Sequence, residues 1–139
     1  FPTRRSSDLD KTMKLNIDCM RDVLLIIEQC GYQEMPSFQK IVDSLPDYSS
    51  DDISYSCEKL YEAEFIDAVH KNYTRGQCPI IKIKNITYSG HQFLDDIRND
   101  NNWGKVKEIA SSVGSISVNA ISQIATSVIS TAIHSNFGL

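Results

Sequence analysis

The chain has 139 residues and a formal net charge of −4, with 41% hydrophobic and 23% charged residues. This length suffices for a single domain with its own hydrophobic core. The acidic balance argues against indiscriminate coating of nucleic acid, but it leaves room for a local basic element.

Residues 1–12 look extraneous to the protein. Residues 1–9 read FPTRRSSDL, which matches one translated frame of a common sequencing-library adapter, whereas Met13 precedes a periodic segment and is a natural initiator. We therefore expect residues 1–12 to be a non-native leader and exclude them from the fold prediction. The alternative is a disordered arm whose Arg4 and Arg5 contact a DNA groove.

The cysteine pattern favours a reducing compartment. Cys19, Cys30, Cys57 and Cys78 show no CxxC spacing and have no nearby histidine. Cys19 and Cys30 lie near the two ends of one predicted helix, roughly 16 Å apart at 1.5 Å per residue, which is too far for a disulfide. Small buried hydrophobes are the simplest interpretation. Charged residues after Met13 interrupt any signal-peptide core, so we expect a cytoplasmic protein.

Three helices are predicted before the first strand. Asn16 or Asp18 caps the first helix, and Ser37 caps a shorter second helix that ends near Leu45. Ser49 stands three residues before an aspartate, an acidic variant of the capping box that predicts the start of the third helix. Apolar residues at helical spacing give these helices their inner faces. They include Ile17, Met20, Leu24, Ile27, Phe38, Ile41, Val42, Ile53, Cys57, Leu60 and Tyr61.

The hydrophobic period changes after the third helix. Residues 65–70 and 79–86 are rich in β-branched and aromatic residues and predict two strands, joined by a hairpin tip at 72–77. Thr87 or Ser89 then caps a fourth helix. In the second strand isoleucine alternates with lysine through Ile81, Lys82, Ile83 and Lys84.

The polar run 98–102 predicts a linker behind the fourth helix, and Trp103 is expected to pack back onto the domain. Three helices, a hairpin and a closing helix follow the order of a winged helix-turn-helix unit, whose short elements must share one core. We therefore predict a mainly α fold with a small β-hairpin (α+β). It comprises a winged-helix domain at 13–103 and C-terminal helices in a tail at 104–139.

The tail has an unusual composition, because His134 is the only ionisable side chain from Ile109 to Leu139. Polar and apolar residues both recur every three or four positions, which predicts an amphipathic helix whose start is weakened by Gly114. Its apolar face carries Val113, Ile116, Ala120, Ile124 and Val128. The chain's own domain, a second copy or a membrane would cover this face. The uncharged polar stripe disfavours both spanning and interfacial membrane binding, so we expect a homodimer formed through the tail.

Two elements supply candidate DNA contacts. The predicted outer face of the third helix carries Ser54, Tyr55 and Lys59, which suit base edges or phosphates, but it also carries Glu58 and Glu62, which repel phosphate. A solvated helix face of mixed charge is the simpler interpretation there. The hairpin has no acidic residue between 68 and 86, and its candidate contacts are Lys71, Tyr73, Arg75, Lys82 and Lys84. Lysines on edge strands also discourage aggregation, which is the structural alternative.

The sequence predicts no catalytic, metal or cofactor site. His70, His91 and His134 are far apart and lack a nucleophile or metal-ligand partner at a recognisable spacing. Asp95 and Asp96 are adjacent on a helix and point roughly 100° apart, which disfavours joint acid–base work. We therefore expect a protein that is not an enzyme, and no small-molecule substrate is identified.

Four segments carry a resemblance to a known family. They are MKLNIDCMRDVLLIIE (13–28), YSSDDISYSCEKLYEAEFIDA (48–68), ITYSGHQFLDDIRNDNNW (86–103) and SVNAISQIAT (117–126). Together they resemble the bacterial and phage family called domain of unknown function 2513, and the hairpin region is similar in style to winged-helix regulators. The resemblance implies a bacterial or mobile-element context and supplies no activity and no site residues.

Two functions fit these patterns. The first is a dimeric winged-helix DNA-binding protein, a bacterial or phage transcriptional regulator, whose hairpin cations contact phosphates of double-stranded DNA. The alternative is a protein–protein adaptor that keeps the winged-helix shape and binds no DNA. Winged helices serve both roles, so the fold alone does not decide between them.

Overall fold

The computed structural model describes residues 14–71, 78–114 and 116–137. The leader expected at 1–12, the start expected at Met13 and the hairpin tip expected at 72–77 lie outside the described residues. Tyr73 and Arg75, two of the candidate DNA contacts, lie outside them as well.

The described residues form six helices and one two-stranded antiparallel sheet, which confirms the predicted mainly α fold with a small β-hairpin. In chain order the elements are α1 (Ile17–Gln29), α2 (Phe38–Ser44), α3 (Ser50–Glu62), β1 (Ile66–His70), β2 (Ile80–Ile86), α4 (Tyr88–Ile97), α5 (Asp100–Val113) and α6 (Val118–Phe137). One cluster of buried side chains includes residues of every helix and strand, so each element packs into a shared core.

Helices α1 to α5 each begin with a side chain that accepts a hydrogen bond from a backbone N–H of the first turn. Ser37 and Ser49 cap α2 and α3 as predicted. Where the sequence left two choices, Asn16 caps α1 and Thr87 caps α4. These caps satisfy N–H groups that have no partner inside the helix.

The polar run 98–102 is not a linker, because α5 begins inside it. Asn99 caps this helix by accepting from the backbone N–H of Asn102. Asp100 adds a negative charge to the first turn, where the helix dipole favours it. Residues that resemble a loop by composition therefore form a helix start, and the domain boundary predicted after Trp103 falls within α5.

Trp103 packs back onto α1 as predicted. Its side chain is 4% exposed, and its Nε1–H donates to the Asp18 carboxylate at 2.9 Å. Lys107, one turn later, forms an ion pair with the same carboxylate at 3.2 Å. Arg21, one turn further along α1, donates through Nε to the carbonyl oxygen of Ile97 at 2.8 Å. These contacts hold the junction of α4 and α5 against the first helix.

The tail forms two helices, which agrees with the predicted C-terminal helices, and the chain breaks at Gly114, where the sequence predicted a weakened helix start. Gly114 has a φ of 82° at the end of α5, a left-handed conformation that glycine adopts at low cost and that commonly ends helices. This break resets the helical phase, so the buried face of α6 differs from the predicted stripe. The buried residues are Val118, Ile121, Ala125 and Val128, and α6 packs on α4 and α5.

Two bulges change the spacing of inward-facing residues in the hairpin. The paired residues are Ile66 with Ile86, Asp67 with Asn85, Ala68 with Ile83, Val69 with Lys82 and His70 with Ile80. Lys84 and Ile81 are skipped by this register, one at each bulge. Ile80, Ile83 and Ile86 are therefore buried at a spacing of three. The predicted strict alternation is wrong for Ile81, which is 40% exposed.

The segment before α2 is attached to the edge of β2. The N–H of Ile83 donates to the carbonyl oxygen of Pro36 at 2.9 Å, and Ser37 forms an isolated antiparallel bridge with Lys82. A short piece of extended chain between α1 and α2 therefore occupies the position of a third strand beside the hairpin.

Helix α4 approaches the chain that enters β1 very closely. A Cβ atom added at Gly90 would overlap the carbonyl oxygen of Phe65 and lie 2.7 Å from a methyl group of Ile86. Phe65 also stacks on Phe93 of α4, with ring centroids 4.9 Å apart. Glycine is therefore required at position 90 for steric reasons, because the overlapping atom is backbone and cannot rotate away.

We expect Gly90→Ala to destabilise the protein by about 3 kcal/mol, since α4 must move away from the hairpin to relieve the overlap. The matched control is Gly104→Ala in α5, where an added Cβ meets no atom within 4 Å. That change should stabilise the protein by about 0.5–1 kcal/mol through helix propensity. Urea unfolding followed by circular dichroism measures both, and equal stability of the two variants would contradict the packing described for Gly90.

Candidate nucleic-acid interface

Three lysines of the hairpin lie within the described residues. Lys71 directly follows β1 and is exposed, with its N–H bonded to the carbonyl oxygen of Pro79 at 2.9 Å. Lys82 is half-buried in β2, and Lys84 is exposed at a bulge. We call Lys71, Lys82 and Lys84 the hairpin lysines.

The hairpin lysines differ in their pairing from most cations of the helices and helix ends. Five of those cations form ion pairs, namely Arg21 with Asp100, Lys40 with Glu34, Lys59 with Glu62, Arg98 with Glu28 and Lys107 with Asp18. Within residues 14–71, 78–114 and 116–137, the hairpin lysines take part in no ion pair. Lys14 and Lys105 share this property. The positive charge of the hairpin is therefore not neutralised by carboxylates of the described chain.

The hairpin lysines do not converge on one point. Lys71 lies beside Pro79, and Lys84 lies between the partners of Asp67 and Ala68, which is roughly 12 Å further along the hairpin. Lys84 borders a groove at the end of α1, at the base of the hairpin. Phosphate contacts by Lys71 and Lys84 would therefore be separate contacts along a duplex, with Lys71 nearer the tip.

The candidate residues of α3 are engaged with neighbours on the same helix. Ser54 donates to Glu58 at 3.4 Å, and Lys59 donates to Glu62 at 3.0 Å. The hydrogen bond to Glu62 raises the pKa of Lys59 and so favours its charged form. The negative charge of Glu62 offsets part of this positive charge. The Lys59 ammonium also lies 5.1 Å from the centroid of the Tyr55 ring, a distance suited to a cation–π contact. The paired residues are three or four positions apart, so helical spacing in the sequence could have predicted these contacts.

The start of α6 lies beside the outer face of α3. A groove of about 650 Å³ is bordered by Tyr55, Lys59 and Glu62 on one side and by Ile116 and Val118 on the other. Sequence reasoning assigned these two groups to separate domains. No local sequence pattern predicts that α3 and the start of α6 lie side by side, because their proximity depends on how α6 folds back onto α4 and α5.

The hairpin is joined to α3 through an aromatic stack. The rings of Tyr61 and His70 have centroids 4.8 Å apart and an interplanar angle of 5°. Cys57, one turn before Tyr61, is fully buried, and burial raises the pKa of its thiol. Burial also raises the pKa of the Cys78 thiol at the entrance to β2. The hairpin and the third helix therefore form one packed unit, with contacts at the ends of the strands nearest the tip.

The histidines and aspartates that were considered as candidates for catalysis do not form a common site. Asp95 forms an ion pair with Arg98 at 3.0 Å, whereas the pKa of the neighbouring Asp96 is raised by burial. His70 stacks on α3, while His91 lies on α4 beside α1. Among the described residues, no group of three or more His, Cys, Asp or Glu side chains is arranged to hold a metal ion.

None of the described helices combines the length and the hydropathy that a membrane crossing requires.

The five residues predicted to form a dimer face do not share one surface. Val128 is buried in the packed face of α6, and Ile124 is half-buried against the core. Val113 is exposed at the end of α5, and Ile116 borders the groove beside α3. Ala120 is half-buried. The apolar surface of the tail is covered by its own chain only in part, and dimerisation itself stays a prediction.

A family model described as "Hypothetical protein (DUF2513)" matches residues 14–117. The chain belongs to this family. The DUF2513 match extends past residue 103 to the end of α5, which agrees with α5 being part of the same packed body as α1 to α4.

A similar protein from Haemophilus influenzae, named "Uncharacterized protein", is 32% identical over 119 residues. The alignment covers 85% of this DUF2513 chain and 97% of that protein. No solved structure matches the chain.

We expect iodoacetamide to leave Cys57 unmodified in the native protein, because its thiol is buried and its raised pKa disfavours the reactive thiolate. Cys30, which is half-buried at the end of α1, is the internal control and should be modified. Mass spectrometry of peptides from native and urea-unfolded protein measures both sites. Equal labelling of the two thiols in the native protein would contradict the packing of α3 beneath the hairpin.

Proposed function

We propose that this protein is a winged-helix DNA-binding protein, a bacterial or phage transcriptional regulator, whose hairpin lysines contact the phosphates of a duplex. The observation that carries the proposal is the pairing pattern of the cations. Five cations of the helices and helix ends have carboxylate partners, and Lys105 of α5 is an exception, whereas all three hairpin lysines have no ion pair within the described residues. The hairpin carries one acidic residue, Asp67 of β1, against three lysines within the described residues, and lysines without an ion pair suit phosphate binding.

The arrangement of elements supports the winged-helix interpretation. Helix α1 is followed by a bridged segment at Ser37, then by α2, α3 and the hairpin. This is the order of a winged helix, in which a short first strand lies between the first two helices and completes the sheet. The hairpin would be the wing, and α3 would be the recognition helix.

The hairpin would contribute more to binding than α3. Ser54 and Lys59 already bond to glutamates of their own helix, and Asp51 and Asp52 add negative charge to its first turn. Phosphate contacts provide affinity without sequence information, whereas base contacts specify sequence. We therefore propose a salt-sensitive interaction with limited sequence discrimination.

A homodimer formed through the C-terminal helices and a cytoplasmic location belong to the same proposal. Ile133 and Phe137 support the dimer, because they are 45% and 74% exposed near the end of a helix that has no Asp, Glu, Lys or Arg. A charge-free apolar surface can be buried against its copy without desolvating ions.

Titration of a labelled duplex with the full chain at several salt concentrations tests the DNA proposal. We expect the logarithm of the affinity to fall linearly with the logarithm of the salt concentration. Lys71→Ala should weaken binding and reduce this slope by about one. Lys105→Ala is the matched control, since it removes an equally exposed and unpaired lysine from α5 and should leave the slope unchanged.

The alternative function is a protein–protein adaptor. The groove beside α3 favours it, because a volume of about 650 Å³ lined by Leu15, Ile116 and Val118 offers an apolar surface next to acidic α3. The same titration separates the two functions. Absence of duplex binding at low salt contradicts the DNA proposal and leaves the adaptor, whereas binding with equal loss in both lysine variants contradicts the role assigned to the hairpin.

A further inference from the structure

A second groove lies at the base of the hairpin, away from α3. It has a volume of about 350 Å³ and opens between the end of α1, the turn at residues 31–36 and strand β2. Ile27, Met35 and Ile86 form its apolar part, and Tyr32, Lys84 and His91 border it with an aromatic ring and polar groups. Small-molecule sites commonly combine an apolar lining with a few polar groups in a volume of this order.

The turn that borders this groove is held in a strained conformation. Glu34 donates its N–H to the carbonyl oxygen of Gly31 at 2.9 Å, and its carboxylate accepts from the N–H of Gly31 at 2.9 Å. The carboxylate is also paired with Lys40. Gln33 has a φ of 66°, a left-handed conformation that costs a non-glycine residue roughly 1–2 kcal/mol. The turn therefore has type II character, which normally favours glycine at this position.

The strained turn keeps an aromatic side chain in solvent. Tyr32 is 95% exposed, although a tyrosine ring is largely apolar. Met35 has a φ of 53°, so a second non-glycine residue of the turn is left-handed. Strained backbone held by surrounding bonds is characteristic of ligand-binding segments. The ring of Tyr32 is thus presented at the rim of the groove at an energetic cost to the fold.

The charge available in this groove is positive. Lys84 lies at a bulge of β2 and has no ion pair within the described residues. The carboxylate that borders the groove, Glu28, accepts two hydrogen bonds from Arg98 at 2.5 and 2.7 Å. These bonds lower the pKa of Glu28, so the carboxylate stays ionised, and the positive charge of Arg98 offsets its negative charge. An anionic group next to Lys84 would therefore meet an unpaired ammonium.

We propose that this groove binds a small planar aromatic anion. The ring stacks on Tyr32 and packs on Met35 and Ile27, while the carboxylate or phosphate of the ligand binds Lys84 and accepts from His91. This site shares Lys84 with the proposed duplex contacts, but a titration without DNA tests it independently of the proposed function.

Titration of the ¹⁵N-labelled full chain with 2-naphthoate tests the proposal, with neutral 2-naphthamide as the matched probe. We expect saturable shifts of the amide signals of residues 31–35 and 84–86, and about tenfold weaker binding of the amide. Lys84→Gln and Tyr32→Ala should each weaken naphthoate binding about tenfold. Both side chains are exposed, so both variants should retain the wild-type spectrum elsewhere.

Lys105→Gln is the control variant, because Lys105 is exposed and unpaired on α5 and borders a different groove. It should bind naphthoate like the wild type. Shifts centred on another surface, equal affinity for 2-naphthamide, or unchanged affinity of Lys84→Gln would each overturn the proposal.

Discussion

The guanidinium of Arg21 joins the first helix to the place where the chain turns from α4 into α5. It donates to the carbonyl oxygens of Ile97 and Arg98 at 2.8 and 2.7 Å and to the Asp100 carboxylate at 2.8 Å. The side chain of Arg21 is only 12% exposed and also lies 5.6 Å from the Trp103 ring. Hydrogen bonds from a charged, partly buried donor are strong. They fix the direction of α5, and the packing of α6 on α4 and α5 depends on that direction.

The sequence predictions were more accurate where the interacting residues are close together along the chain. Helix caps were predictable, since a cap such as Ser49 bonds to a backbone N–H only three residues away. The linker predicted at 98–102 was wrong because polar composition describes a loop and a helix start equally well. A local signal was present and overlooked, since Asn99 caps α5 through the N–H of Asn102, and Arg21 adds contacts from 76 to 79 residues earlier in the chain. The groove between α3 and Ile116 was missed because the residues that border it are far apart along the chain.

The hairpin illustrates what composition can and cannot predict about a site. The absence of acidic residues from 68 to 86 identified it as a basic element, and its described part retains lysines without an ion pair. Composition could not predict the bulges at Ile81 and Lys84, because bulges arise from how β2 fits both β1 and the core. Lys84 consequently borders the groove at the end of α1, about 12 Å along the hairpin from the position level with Lys71.

The same bulges affect how molecules of this protein meet one another at high concentration. Seven residues of β2 span the length of five residues of β1, so the ribbon is strongly twisted. A twisted, bulged edge that is already bridged at Ser37 offers a poor template for a strand from a second chain. Fibrillar assembly by strand addition is thereby disfavoured, and contacts between copies are directed to side-chain surfaces of the helices.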